Sequence, residues 1–415
     1  SNLRSLLIPT SANVLVTLLS LFFVFEIGAV LAQNEWTALA GALVYATLIG
    51  SSLYVRHLVP YDWALCVGLG ALWLAVARPK TRGLAVWTGA LTGAMLTVYT
   101  GYYPFCGVVG LAVLWDAWDT RERGDAIRFA VVFALSAAAV IAAVELLFRA
   151  GGLSYIGSLR GVRRDISFTS YGDGFLFLPE YLLDVERLSG VALILGAVVY
   201  LRHMVLRIAR GILRPIDRVM LPMLVACAAQ SASSVYLHAI PLFGRLIHPW
   251  MPFLAWMFAD ALTHAEYTAA RRSAYTGMIA AVAISIGANA WTYWPLKYPP
   301  DVLYALGIDT TKVPREQQLC ELYPGTEYAS PGPIDRATNA PYTNDSSWVL
   351  VNFCQALPEV PRPRLVAHVP PSARRVFDGP HWMSFPAYAY EGLIEEDREA
   401  MARERYRLQV FTLSR

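Results

Sequence analysis

Leu53-Tyr-Val-Arg-His-Leu-Val-Pro-Tyr-Asp62 joins two apolar runs. A cation, an imidazole, a phenol and a carboxylate are packed into one turn, fixed by Pro60. Such a turn belongs at a membrane surface, where polar groups meet water and still reach a lipid-borne molecule. Ionisable residues at the edge of a membrane bundle are functional candidates by default. The plain alternative is an interfacial loop in which Arg56 and Tyr61 only anchor helix ends.

The rest of the chain supports the membrane reading. Of its 415 residues, 56% are hydrophobic and 16% charged, and the mean hydropathy is +0.42. Soluble proteins of this length rarely have such a composition, so a polytopic membrane protein is expected. The net charge of +3 is too small to argue for a nucleic-acid partner. Twelve Trp and 22 Tyr suit interfacial belts.

Hydropathy predicts ten membrane segments, at about 11–32, 36–55, 61–77, 83–99, 103–117, 127–149, 190–209, 218–238, 246–264 and 275–295. The fourth and fifth are short for full spans, and Thr100-Gly-Tyr-Tyr-Pro104 between them reads as a tight turn. One set of connections is rich in cations: Arg78, Lys80 and Arg82; Arg121, Arg123 and Arg128; Arg202, Arg207, Arg210, Arg214 and Arg218; Arg271 and Arg272. The short connections of the other set carry only Arg56 and Arg245. The positive-inside rule puts the first set in the cytoplasm. It follows that the 53–62 turn, the 150–189 loop, the 239–248 turn and the region after about residue 297 are extracytoplasmic. Ser1 also falls outside, with no signal-peptide pattern before it, so an upstream helix is expected in the natural chain.

Two further stretches carry candidate chemistry. Arg160-Gly-Val-Arg-Arg-Asp165 puts Arg160, Arg163 and Arg164 beside the membrane. The cluster either holds a phosphate, through the guanidinium fork, or is a solvated loop drawn to anionic headgroups. Phe175-Leu-Phe-Leu-Pro-Glu-Tyr-Leu-Leu183 is expected along the interface. Gly244-Arg-Leu-Ile-His-Pro-Trp-Met-Pro252 opens the ninth segment. Arg245 and His248 share a face there if the turn is helical, and Arg245 is placed to grip a lipid phosphate or simply to snorkel. Glu26, inside the first apolar run, is expected to make a structural hydrogen bond.

Cys66, Cys106 and Cys227 lie in apolar runs and read as packing residues. Cys320 and Cys354 lie in the polar C-terminal region, where an extracytoplasmic location permits a disulfide. No metal-ligand spacing, P-loop, dinucleotide fingerprint, nucleophile elbow or internal repeat is present. From residue 298 prolines and charges rise. Trp348–Phe353, Arg364–His368 and Arg407–Leu413 read as strands, and Glu395–Arg405 as a charged helix. The expected architecture is an α-helical polytopic membrane domain, residues 1–297, and a small extracytoplasmic α/β domain, residues 298–415.

The run Trp36 to Trp118 resembles the multi-spanning glycosyltransferases that use polyprenyl-phosphate sugars, the C-type (GT-C) superfamily, and among them bacterial protein-mannosyltransferase-like and aminoarabinose-transferase-like enzymes. The resemblance rests on Ala38–Tyr45, Tyr54-Val-Arg56 with Pro60-Tyr-Asp62, Arg82–Ala94, Tyr99–Pro104, and Gly244-Arg245 with Pro249–Pro252. It implies a bacterial inner-membrane enzyme that moves a sugar from a lipid phosphate to an acceptor at the outer face. Asp62 matches the second of the family's two acidic positions, as catalytic base or as a ligand for a divalent metal if another carboxylate is near. Arg245, His248, Arg56 and His57 would bind the donor phosphate, and Tyr61, Tyr102 and Tyr103 would line the sugar pocket. The first acidic loop of the family, after one more N-terminal helix, has no counterpart here. Three explanations stay open: a longer natural chain, a separate subunit that supplies the loop, or a non-catalytic relative acting as a scaffold. A lipid or polysaccharide transporter is a further alternative, one that would show broken helices and an inverted repeat.

Overall fold

A computed structural model describes residues 2–51, 60–77, 81–120, 123–165, 174–237 and 242–263. Beyond them it describes 276–277, 280, 282–288, 290–291, 305–306, 334–335, 340–341, 348–352, 373–380, 390 and 407–413. The chain divides into two compact units, residues 6–286 and residues 1–5 with 287–415.

The larger unit is built of helices. Four apolar stretches, Ser11–Ala32, Ala126–Ala150, Leu188–Ala209 and Pro215–Leu237, are long enough to cross a bilayer, at 22 to 25 residues each. Tyr61–Ala77, Gly83–Val98 and Thr100–Trp115 are apolar but shorter. Among the described residues, four helices rather than ten meet the requirements of a full span. The second expected segment, 36–55, is broken. Its helix, Glu35–Thr47, stops where Leu48 turns extended, at ψ 139°. Thr47 donates its hydroxyl back to the Val44 carbonyl at 2.8 Å. Helical backbone then restarts at Ile49.

The expected ninth segment is a core helix. Gly244–Ile247, the tight turn His248–Trp250 and Met251–Thr263 follow one helical path, and every residue from Met251 to Asp260 is buried. Pro249 lies in the tight turn and Pro252 in the first turn of Met251–Thr263, so their missing N–H groups fall where the hydrogen-bonding pattern changes. The Met251–Thr263 helix packs between Glu35–Thr47 and Leu188–Ala209. Trp256 lies in a notch left by two glycines. A Cβ at Gly28 would come within 2.9 Å of its Nε1, and one at Gly41 within 2.8 Å of its Cδ1. Its indole N–H donates to the Val24 carbonyl at 3.0 Å. Gly196 lets the Leu188–Ala209 helix approach the Phe258 backbone, which a Cβ would meet at 2.7 Å.

The Arg82–Val98 helix meets Arg123–Ala150 by the same device. Gly89 and Gly93 form a GxxxG pair, and a Cβ on either would strike the backbone of Phe133 or Ala137. Small residues four apart allow helices in lipid to gain contact by close approach.

In the second unit Trp348–Asn352, Arg407–Leu413 and Ala373–Pro380 form an antiparallel three-stranded sheet with Arg407–Leu413 in the middle. The register slips between Arg375 and Phe377. A separate two-stranded pair joins Ile334–Asp335 to Ala340–Pro341. Arg364–His368 and Glu395–Arg405 lie outside the described residues.

Candidate functional site

Asp62 stands in the first turn of the Tyr61–Ala77 helix, where a carboxylate suits the positive end of the helix dipole. It is only 4% exposed. Two segments far apart in sequence approach it directly. From the first helix, Asn13 Nδ2 lies 3.5 Å from Oδ2. From the start of the core helix, His248 Nε2 lies 3.6 Å from Oδ1. That distance exceeds a hydrogen bond, so the pair is a close contact between polar groups. Tyr102, buried in the turn Thr100–Tyr102, fixes the other ring nitrogen of His248, Oη to Nδ1 at 3.0 Å. Tyr45 Oη reaches Nε2 at 3.4 Å. With an ionised Asp62, the consistent tautomer has Nε2–H facing the carboxylate and Nδ1 accepting from Tyr102.

Arg245 lies beside this centre. Its Nη1 donates to Tyr61 Oη at 2.7 Å, and its guanidinium covers the Phe243 ring at 4.4 Å. Tyr61 meets Tyr99 edge-on at 4.7 Å, and Tyr99 meets Tyr102 edge-on at 5.1 Å. A continuous path of contacts therefore runs from Arg245 through three tyrosines to His248 and Asp62. Edge-to-face rings of this kind hold one another's orientation.

The segment before the third long helix, Leu188–Ala209, supports the same end of the unit. Phe177–Tyr181 runs into the wider turn Leu182–Glu186, and the buried Glu186 carboxylate accepts from Ile49 N–H at 2.6 Å and Gly50 N–H at 2.7 Å. It caps the helical turn that leads into the 53–62 stretch. Burial pushes the Glu186 carboxyl up to about 7, against the pull of those two N–H groups. Glu145 does a similar job nearby. It accepts from Ile156 N–H at 2.9 Å, Ser154 Oγ at 3.0 Å and Arg149 Nε at 2.6 Å, fixing the start of the Tyr155–Asp165 helix. Tyr155 then donates to the Leu96 carbonyl at 3.0 Å, one turn before Tyr99.

A second polar cluster lies toward the other end of the core helix. Asp217 accepts from Arg207 through two nitrogens, at 2.6 and 3.0 Å, from Tyr200 Oη at 2.6 Å and from Arg214 N–H at 3.1 Å. Arg214 Nη2 reaches Asp260 at 2.5 Å. The Arg207–Asp217 and Arg214–Asp260 pairs tie one helix to another, which marks the cluster as structural.

The structure thus brings together Asp62, His248, Tyr102, Tyr61 and Arg245 from the expected set. Tyr103 is more than a third exposed and stands apart from the cluster. Arg160 is exposed on the Tyr155–Asp165 helix. The side chains of Arg163 and Arg164, together with Arg56, His57, Cys320 and Cys354, lie outside the described ones. Glu26 is half-buried. Sequence reasoning missed Asn13, Tyr45 and Tyr99. The amide of Asn13 inside an apolar run was a usable signal, since polar groups in such runs need partners. Among the described residues no three His, Cys, Asp or Glu side chains stand together as metal ligands. Asp62 and His248 do not by themselves make a divalent site.

Comparison with family models, curated proteins and solved structures gives no match for this chain.

Proposed function

We propose that this protein is a membrane-integral glycosyltransferase that takes its sugar from a polyprenyl-phosphate donor. The observation that carries the reading is the convergence of Asp62 and Arg245, through Tyr61, on one centre beside His248. The reaction needs a base and a cation at neighbouring points. A hydroxyl or amine of the acceptor attacks the anomeric carbon, the bond from that carbon to the phosphate oxygen breaks, and the lipid phosphate departs with the electron pair. Asp62 accepts the proton that the nucleophile gives up. Arg245 offsets the charge growing on the phosphate. His248, held by Tyr102, stands against the carboxylate.

The two roles separate experimentally. In proteoliposomes, Arg245→Ala weakens binding of a bare polyprenyl phosphate roughly tenfold to a hundredfold, the range of a lost charge-assisted contact. Asp62→Asn leaves that binding near the wild-type value. Equal binding by Arg245→Ala and wild type would overturn the phosphate role.

A second reading, a non-enzymatic membrane subunit of the same fold, is favoured by one observation. Asp62 and His248 are 4% and 1% exposed, the burial of a polar core that holds helices together. On that reading Asp62→Asn lowers stability and no donor is consumed by the wild type.

A further inference from the structure

The turn between the Leu188–Ala209 and Pro215–Leu237 helices is rigid and incompletely used. Arg210 N–H and Ile212 N–H both donate to the Arg207 carbonyl, at 3.0 and 2.9 Å, around Gly211 at φ +71°. A positive φ of this kind suits glycine at a helix end. Arg207 and Arg214 are committed inward, to the buried carboxylates of Asp217 and Asp260. Arg202 and Arg210 instead point outward and are exposed. Between and beside them stand Ile208 and Ile212, 43% and 53% exposed, with Val205 and Leu206 also exposed.

Exposed isoleucines next to outward guanidinium groups suit neither bulk water nor hydrocarbon. They suit the boundary between headgroups and acyl chains, where the apolar side chains enter the acyl layer and the cations stay at phosphate depth. The turn joins two helices long enough to cross a bilayer, so it falls at that depth. We propose that the last two turns of the Leu188–Ala209 helix and the turn after it, residues 202–212, form a binding surface for acidic phospholipid headgroups, with Arg210 at phosphate depth and Arg202 reaching toward it along the helix. Guanidinium matches the paired oxygens of a phosphodiester, and an acidic leaflet adds attraction for each cation near its surface. The inward pairing of Arg207 and Arg214 keeps the turn rigid, so little ordering opposes lipid binding. The site is separate from the Asp62 centre and does not depend on its chemistry.

The test uses the full chain in detergent, titrated with phosphatidylglycerol or phosphatidylcholine. Bound lipid is counted by native mass spectrometry, and melting is followed in parallel. Phosphatidylglycerol is expected to bind and raise the melting point of the wild type. The Arg202→Gln/Arg210→Gln pair should bind it roughly tenfold more weakly, each single variant showing part of that loss. Both side chains are exposed, so the variants should fold as the wild type does. Unchanged phosphatidylglycerol binding in the double variant would overturn the proposal. So would equal stabilisation of the wild type by phosphatidylcholine or by inorganic phosphate.

Discussion

At the scale of single residues, the centre is an arrangement of polar groups held by buried neighbours. His248 is held through Nδ1 by Tyr102 and turns Nε2 toward Asp62 and Tyr45. Glu186 is a buried acid whose charge state bears on stability. Its carboxyl sits at about 7 in the fold, above the ordinary carboxylate value. The folded state therefore holds this proton more tightly than the unfolded chain. The stability it contributes is full below the ordinary carboxylate range and is lost as pH rises through about 7. The melting temperature of the wild type should fall between pH 5 and 8 by more than that of Glu186→Gln, since the amide does not titrate. At low pH the variant should be less stable by about 1–3 kcal/mol, because an amide offers one acceptor oxygen to two buried N–H groups. Parallel melting curves against pH would remove Glu186 from this role. Asp62, Arg245 and His248 were legible in the sequence because each is polar at the edge of an apolar run. Asn13 and Tyr45 could not be assigned to this centre, because a lone polar residue inside such a run does not say which helix supplies its partner.

At the scale of elements, close approach through glycine decides the packing. The run Arg82–Ala94 drew attention by resemblance, and its physical content is the Gly89/Gly93 pair against Phe133 and Ala137. Gly93→Leu puts a side chain where the Ala137 backbone stands, so the two helices must separate. A loss of about 2 kcal/mol or more is expected, together with lost donor turnover, because the same helix ends at Tyr99. Melting measured in detergent checks it. A wild-type melting point would show that the crossing does not need the glycine. Some features of this scale could not be read from sequence. The break at Leu48 has no proline to announce it, and it follows from a carboxylate far along the chain. The Met251–Thr263 helix is as apolar as a span, yet it is 13 residues long and buried. Hydropathy cannot distinguish a helix facing lipid from one facing other helices.

At the scale of the whole molecule, four helices among the described residues are long and apolar enough to cross a membrane, while the shorter buried Met251–Thr263 packs between Glu35–Thr47 and Leu188–Ala209. Alkaline carbonate washing of membranes should leave the full chain in the pellet, and release into the supernatant would contradict integral insertion. The membrane class followed from composition and the helices from apolar runs, whereas the number of full spans among the described residues did not. The two polar clusters divide the labour of the larger unit. Asp217 and Asp260 bind helix ends to one another, while Asp62 sits among side chains whose pairing leaves a carboxylate, an imidazole and a guanidinium in one neighbourhood. The most direct test of that functional assignment is release of labelled sugar from polyprenyl-phosphate donors by wild type and Asp62→Asn. Both are compared in the same lipid and at matched folded fraction. The account predicts turnover by the wild type and its loss, by a factor of a hundred or more, in the folded variant. Equal turnover by the two, or none by a folded wild type across hexose and pentose donors, would contradict it.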